Sequence, residues 1–326
     1  MPSIFMHAQF VLDVYDKLDI DTKYFLLDQK INLKTFAQSV DPLFLYDITK
    51  FKKESRIRDF GYHFHKNNTQ EFFINLINYI KYNDLGNNPE IIAFLYGFLS
   101  HYILDSTMHP YIYYKTGYFD KNNSNTYKYK SKHHLMEVYL DKYFIRLRKQ
   151  INPTKYKFYE DLNQIDFSKK LKEVIDITFK ETFNVNNMSK FYHKSILNMK
   201  KLYKKLRYDP HGIKLFFYKL ANKALEKKSS LDFRYVSYYY TEKNLEHYLN
   251  LDKKRWNYPT HKSKKYNHSI IDLYLQALHK CKKTILEINE YIYNNKDIDL
   301  KKLIENVSHN TGIDCNKPQE LKYFEF

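Results

Sequence analysis

The sequence predicts an all-α protein built as a multi-helix bundle, and two observations predict it. Only six Gly and eight Pro punctuate 326 residues, and Leu, Ile and Phe recur at helical spacing between polar joints. Hydrophobic and charged contents of 43% and 28% are ordinary for a globular chain and exclude global disorder. The length suffices for one large domain with a sizeable core. We read residues 1–326 as a single all-α domain, with the chemistry gathered in 1–148 and a basic, Tyr-rich helical region in 149–326.

Taken in order, the apolar spacing places helices over 3–18, 69–82, 89–108, 132–148, 166–182, 187–206, 211–227 and 267–294, with a weaker one over 297–307. Residues 28–66 read as irregular apart from a short helix around Asp41–Tyr46, and 117–132 (GYFDKNNSNTYKYKSK) reads as a long polar loop. The helix at 89–108 matters most. Asn88-Pro89-Glu90 supplies an N-cap, a proline at the first helical position and an acid in the first turn. The run IIAFLYGFLSHYIL that follows is apolar nearly all round, as in a helix buried at the middle of a bundle. Pro110 predicts that this helix stops near His109.

The net charge of +17 attracts phosphate-bearing partners, whether nucleic acid, anionic lipid headgroups or a small anionic substrate. Lys enrichment from AT-rich codons would give the same charge, so charge alone does not choose among them. Cys281 and Cys315 form no metal-type pair. The first twenty residues lack a basic start, a long apolar core and a small-residue cleavage site, so no signal peptide is read and a cytoplasmic location is expected. No stretch of 18 uninterrupted apolar residues occurs, so no spanning helix is expected. A glycine-rich dinucleotide loop, a P-loop, H-E-x-x-H, C-x-x-C and the His-Asp dipeptide are all missing.

Into the buried helix the sequence places HYILDSTMHP. His101 and Asp105 stand four apart on one face, and His109 follows. A buried carboxylate is costly unless paired or coordinated. One such pair alone reads as a core hydrogen bond, but SKHHLMEVYLD offers a second, His133 with Glu137. Two helices that each present a His-x-x-x-carboxylate pair can build a metal site between them. His134 lies about 100° round the helix and reads as solvent-facing. Further candidates are His63 and His65 in GYHFHKNNTQ, and Asp41 before Pro42, where Asp-Pro is equally an ordinary turn. His7, in line with Phe10 and Leu12, reads from spacing alone as a packed core histidine. Imidazole and carboxylate are ligands for zinc, and also for manganese or iron; a site this rich would hold two or three ions. Clustered metals suit phosphate-ester hydrolysis.

The segments MPSIFMHA, SVDPLFLY, FHKNNTQEFF, GFLSHYILDSTMHPY and HHLMEVYLD together resemble the bacterial zinc-dependent phospholipase C family, whose helical fold and trinuclear zinc site are shared with the S1/P1 nucleases. Weaker similarity runs on through YLNLDKKRWNYPT and HSIIDLYLQA. The resemblance implies a helical bundle of the phospholipase C/P1 nuclease type. It implies that Pro2, after removal of Met1, binds one zinc through its amine and carbonyl together with His7, and that Asp105 bridges to a second zinc. That second zinc would also take Asp41, His65 and His101, and a third would take His109, His133 and Glu137. Asp41 is further implied as the catalytic general base. The chain departs from the secreted members in offering Pro2 where they begin with Trp, and in spacing Asp105 and His109 by four residues rather than six. Its Tyr-rich second half does not look like the lipid-binding β-sandwich of the clostridial toxins.

The expected function is therefore that of a zinc-dependent phosphodiester hydrolase, acting on phospholipid headgroup esters through a metal-bound hydroxide and touching an anionic membrane surface peripherally. The first alternative is a nuclease or nucleotide phosphatase on the same scaffold, with nucleic acid as partner and aromatic residues such as Tyr62, Phe64 and Tyr113 stacking on bases. The second is a non-catalytic helical protein with a structural metal, binding an anionic partner.

Overall fold

The computed structural model describes residues 4–47, 56–120, 123–129, 131–206, 208–225 and 246–325. Among these the chain forms α1 (Ile4–Asp16), α2 (Ile20–Phe25), α3 (Lys30–Phe36), α4 (Arg56–Phe64), α5 (Thr69–Tyr82), α6 (Pro89–Thr116), α7 (Lys132–Lys149), α8 (Lys169–Phe183), α9 (Met188–Leu206) and α10 (Ile213–Leu225). A two-stranded antiparallel hairpin follows, β1 (Trp256–Tyr258) with β2 (His261–Tyr266), and then α11 (Ile270–Tyr293) and α12 (Leu300–Leu303). The all-α expectation holds, and one small hairpin is added to it.

The bundle is arranged around α6. Its start is as the sequence predicts: the Asn88 side-chain oxygen accepts from the backbone N–H groups of Glu90 (3.1 Å) and Ile91 (3.2 Å), with Pro89 at the first position. Helices α1, α3, α5, α7, α8 and α11 and strand β1 all pack against it. By length and composition α6 is apolar enough to cross a membrane, yet 94% of its apolar window is buried by the rest of the chain, as befits the core helix of a bundle. At Gly97 the end of α3 crosses so closely that a Cβ would lie 2.5 Å from Phe36 Cβ and 2.7 Å from the Phe36 carbonyl carbon.

The stop expected near His109 does not occur. Helix α6 runs through Pro110 to Thr116, although an internal proline costs about 3 kcal/mol. The added turns bury Tyr111 and Ile112 completely, with Tyr111 edge-on to Trp256 at 5.2 Å, and large buried side chains contribute about 1.5–3 kcal/mol each. The helix ends instead at Gly117, whose φ of +68° and contact with the Tyr129 ring exclude a side chain. This continuation keeps His109 on the same face as His101 and Asp105.

Residues 28–66, expected to be irregular, hold α3 and α4, and α2 lies just before them. These helices span 6, 7 and 9 residues, too short for a periodicity to declare itself, and α3 is held by the burial of Leu33 and Phe36. The short helix expected at Asp41–Tyr46 is a 3₁₀ turn over Asp41–Leu45, and the loop at 117–132 contains another over Ser124–Tyr129. The helix expected over 297–307 is reduced to α12, capped by Asp299. Beyond it the chain extends and closes a bridge between Val307 and Asp314. Helices α1, α5, α7, α8, α9, α10 and α11 lie where they are expected to within three residues.

Candidate metal centre

His101, Asp105 and His109 occupy positions i, i+4 and i+8 of α6, and four other elements bring side chains to that face. Helix α1 brings His7, the Asp41–Leu45 turn brings Asp41, the end of α4 brings His65, and α7 brings His133 and Glu137. All are buried except His133, whose side chain is 27% exposed. Three groups have ligand atoms mutually within 4.8 Å: His7 with Asp41 and His101; His65 with His101, Asp105 and His309; and His109 with His133 and Glu137.

Asp105 stands at the middle. One of its oxygens faces His7 Nε2 at 3.3 Å; the other faces His101 Nε2 at 3.1 Å and His109 Nδ1 at 3.6 Å. Asp41 presents one oxygen to His65 Nε2 at 3.1 Å and the other to His101 Nε2 at 3.7 Å. Glu137 lies 3.0 Å from His133 Nε2 and 3.9 Å from His109 Nε2.

The outward ring nitrogens show how these imidazoles are set. His65 Nδ1 is 2.7 Å from the Gly61 carbonyl, His101 Nδ1 is 2.9 Å from the Ala37 carbonyl, and His109 Nδ1 is 2.8 Å from the His309 carbonyl. A carbonyl only accepts, so each Nδ1 carries a proton and donates it, which turns Nε2 of His65 and His101 toward Asp41 and Asp105 and Nε2 of His109 toward Glu137. Backbone carbonyls commonly orient metal-binding histidines in this way. The Gly97 crossing has a direct part in this arrangement, because it brings the Ala37 carbonyl down onto His101, one turn further along α6.

The electrostatics call for a cation. Burial opposes ionisation of Asp105, but the charges of His109, His101 and His7 outweigh it and hold its carboxyl well below the usual range. Burial opposes the charge on Glu137 too; His133, helped by a hydrogen bond from His109, overcomes it and holds Glu137 well below its ordinary value. For His109 burial works downward, and Asp105 and Glu137 lift it to about 9. His7 is raised as well, Asp105 outweighing burial. Buried carboxylates at this density require positive charge, supplied either by imidazolium protons or by divalent cations. Three buried atoms of these residues, His7 Nδ1, Asp41 Oδ2 and His101 Nε2, make no aligned hydrogen bond. Protons alone therefore leave buried polar atoms unsatisfied, whereas a cation with imidazole and carboxylate ligands satisfies them. The residues present fit zinc.

Eight of the nine expected site positions thus converge. Pro2 lies outside the described residues. His63 stays out: it is exposed on α4, beside Asn67 and the Phe183 ring. His134 is half-buried rather than solvent-facing and joins no group. The histidine that sequence reasoning missed is His309, from the segment SHNTG, fully buried against His65 and His101. Glu305 stands four residues before it, but the helix ends at Leu303, so the two share no helix face; the residues around its ring lie some 200 positions away, and no local pattern announces it.

A comparison with known families bears on this geometry. The family model described as zinc dependent phospholipase C matches residues 39–185. The match includes seven of the eight converging side chains, leaves out His7, and does not reach YLNLDKKRWNYPT or HSIIDLYLQA. No curated protein and no solved structure matches the chain. Over residues 39–185, the stretch that builds most of the buried cluster, this chain is similar to the zinc-dependent phospholipase C family, which supports the resemblance read from the sequence.

Proposed function

We propose that this protein hydrolyses phosphodiesters of phospholipid headgroups with zinc as its cofactor. The observation that carries the reading is the convergence of Asp41, Asp105 and Glu137 with five imidazoles, nearly all inside the segment that matches the family. Zinc bound there supplies Lewis-acid charge to a phosphoryl oxygen and makes water acidic enough to be a nucleophile near neutral pH. Asp105, with His7 on one oxygen and His101 and His109 on the other, would hold two ions together. Asp41, His65 and His101 would complete one of these sites, and His109, His133 and Glu137 would form a third. The carbonyls behind His65, His101 and His109 keep the rings from turning as charge moves during the reaction. Asp41 has one oxygen turned to His65 and the other without an aligned hydrogen bond, which supports reading it as the group that would accept a proton from the attacking water.

A cavity of about 280 Å³ adjoins the cluster, lined by Lys66, Tyr113, Tyr118, Asp120, Ser308 and Asn310 among others. The Tyr113 ring lies tilted against His133 at 4.8 Å, and the Ser308 hydroxyl donates to the His65 carbonyl, so two residues of the cavity wall touch residues of the cluster. Lys66 suits the phosphate, and the Tyr113 and Tyr118 rings with Asp120 suit a cationic headgroup. The net charge of +17 would draw the protein to anionic lipid surfaces.

The test is zinc content by elemental analysis on untagged protein with its native N-terminus, purified without chelator, alongside hydrolysis of a soluble short-chain phosphatidylcholine and of single-stranded DNA. Two or more zinc per chain with release of phosphocholine is expected. Asp105→Asn is expected to lose zinc and more than ~100-fold of the activity together. An active Asp105→Asn enzyme would sink the clustered-metal reading, and cleavage of DNA alone would overturn the substrate assignment.

A further inference from the structure

We propose that His309 is an additional zinc ligand, contributed by the C-terminal loop 306–313 to the ion held by His65, His101 and Asp105. This rests on the reading above that the cluster binds zinc. His309 is fully buried, and neither of its ring nitrogens has a hydrogen-bond partner. Leaving both unsatisfied would cost about 1–3 kcal/mol each, a penalty that Phe or Leu at this position would not incur. One ring nitrogen falls with the ligand atoms of His65, His101 and Asp105, all within 4.8 Å of one another. The other walls of its pocket, Phe64 at 5.6 Å and Tyr102 at 5.3 Å between ring centres, are aromatic rings.

The loop is built to hold that ring in place. The backbone N–H of His309 donates to the His65 carbonyl (3.0 Å), and its own carbonyl accepts from His109 Nδ1 (2.8 Å), so its main chain links two expected ligands. Ser308 N–H donates to the Ile313 carbonyl and Gly312 N–H to the Ser308 carbonyl, both at 2.8 Å, closing a tight turn. Gly312, at φ +61°, lets the turn settle on α6, where a Cβ would meet the Ser106 carbonyl at 2.4 Å. The Tyr258 hydroxyl fastens the Thr311 carbonyl from the hairpin side. Three imidazoles and the Asp105 carboxylate would then surround the ion, beside the Asp41 carboxylate already assigned to it, and one of the imidazoles comes from well outside residues 39–185.

The test uses the full chain and three readouts other than turnover. Competition with a chromophoric chelator should show that His309→Ala weakens one zinc by at least ~10-fold relative to wild type. Cobalt-substituted His309→Cys should gain a near-ultraviolet thiolate-to-cobalt charge-transfer band. Wild type, which already carries Cys281 and Cys315, should lack that band. In histidine-labelled wild type, the His309 ring nitrogens should shift on zinc loading together with those of the other ligands, a result that needs no variant to fold. Unchanged zinc number and affinity in His309→Ala, absence of the band in a cobalt-loaded His309→Cys, or a His309 resonance indifferent to zinc would each overturn the proposal alone. A wild-type chain that binds no zinc would overturn both it and the reading beneath it.

Discussion

Lys142 lies on the buried side of α7, 5% exposed, next to Asp141, whose carboxylate accepts the Met6 backbone N–H at 3.0 Å and ties α7 to α1. Burial, with a smaller contribution from Arg146, pushes the Lys142 ammonium from 10.5 down to about 8. Between these values the unfolded chain binds more protons than the folded one, so stability rises with pH across that window. The destabilisation is fully present below about pH 8 and gone above the unfolded value, with a ceiling of roughly 3 kcal/mol. Lys142→Met should therefore unfold at higher denaturant than wild type at pH 7, and the gap should close as pH rises to 10. A gap that does not change with pH would mean that Lys142 titrates alike in both states. At this scale the sequence discloses what pairs locally. His101 with Asp105 and His133 with Glu137 are legible because helical spacing puts each pair on one face. Asp41 and His65 are less so, because each owes its place to tertiary contacts, and His309 is not legible at all, since every neighbour that gives it meaning is distant in sequence.

The crossing of α3 over α6 fixes the geometry of the centre at the next scale. In Gly97→Ala the new methyl would press on Phe36 Cβ, the Phe36 carbonyl carbon and, at 2.9 Å, the Ala37 nitrogen; two of these three atoms are backbone and cannot swing aside. Helix propensity would gain about 1 kcal/mol, and with contacts this short overpacking would cost the upper part of about 1–3 kcal/mol, so a net loss of up to ~2 kcal/mol is expected in urea unfolding. Zinc affinity should fall as well, because the displaced Ala37 carbonyl no longer orients His101. Gly86→Ala is the control. There the methyl meets side-chain atoms of Tyr293 and Ile292, and Tyr293 is 43% exposed and has room to move. It should lose less than ~1 kcal/mol and leave zinc affinity unchanged. Equal effects in the two variants would refute the role given to the crossing. The same elements show where sequence patterns run out. Helix α6 is legible from its cap and its all-round apolar run, but its end is not, because Trp256 and the hairpin, more than 100 positions on, repay the proline at 110. Helices α2, α3 and α4 are set by tertiary packing rather than by a repeat long enough to read.

The centre draws on α1, the turn at 41–45, α4, α6, α7 and, through His309, the loop at 306–313, so one cluster joins the beginning, the middle and the end of the described chain. The imidazoles around Asp105 and Glu137 hold both carboxyls well below their ordinary range, and a divalent ion would complete that balance only in the folded protein, since the unfolded chain scatters the ligands. Binding confined to the native state adds RT ln(1 + [L]/Kd), about 2.7 kcal/mol per site at a hundredfold excess over Kd. With two sites filled, stripping by a strong chelator should lower Tm by roughly 5–10 °C for a chain of this size. Returning zinc should restore it, whereas magnesium, which prefers oxygen ligands, should not. The shift should appear in a single cooperative transition, because the ligands span the bundle instead of one corner. Differential scanning calorimetry on chelated and zinc-restored protein decides this. A Tm indifferent to chelation would show that the imidazoles neutralise the carboxylates by protonation alone, and that no metal holds these elements together. Loss of one early transition with the main one unmoved would confine the metal to a locally folded piece and count against the single domain that the sequence predicts.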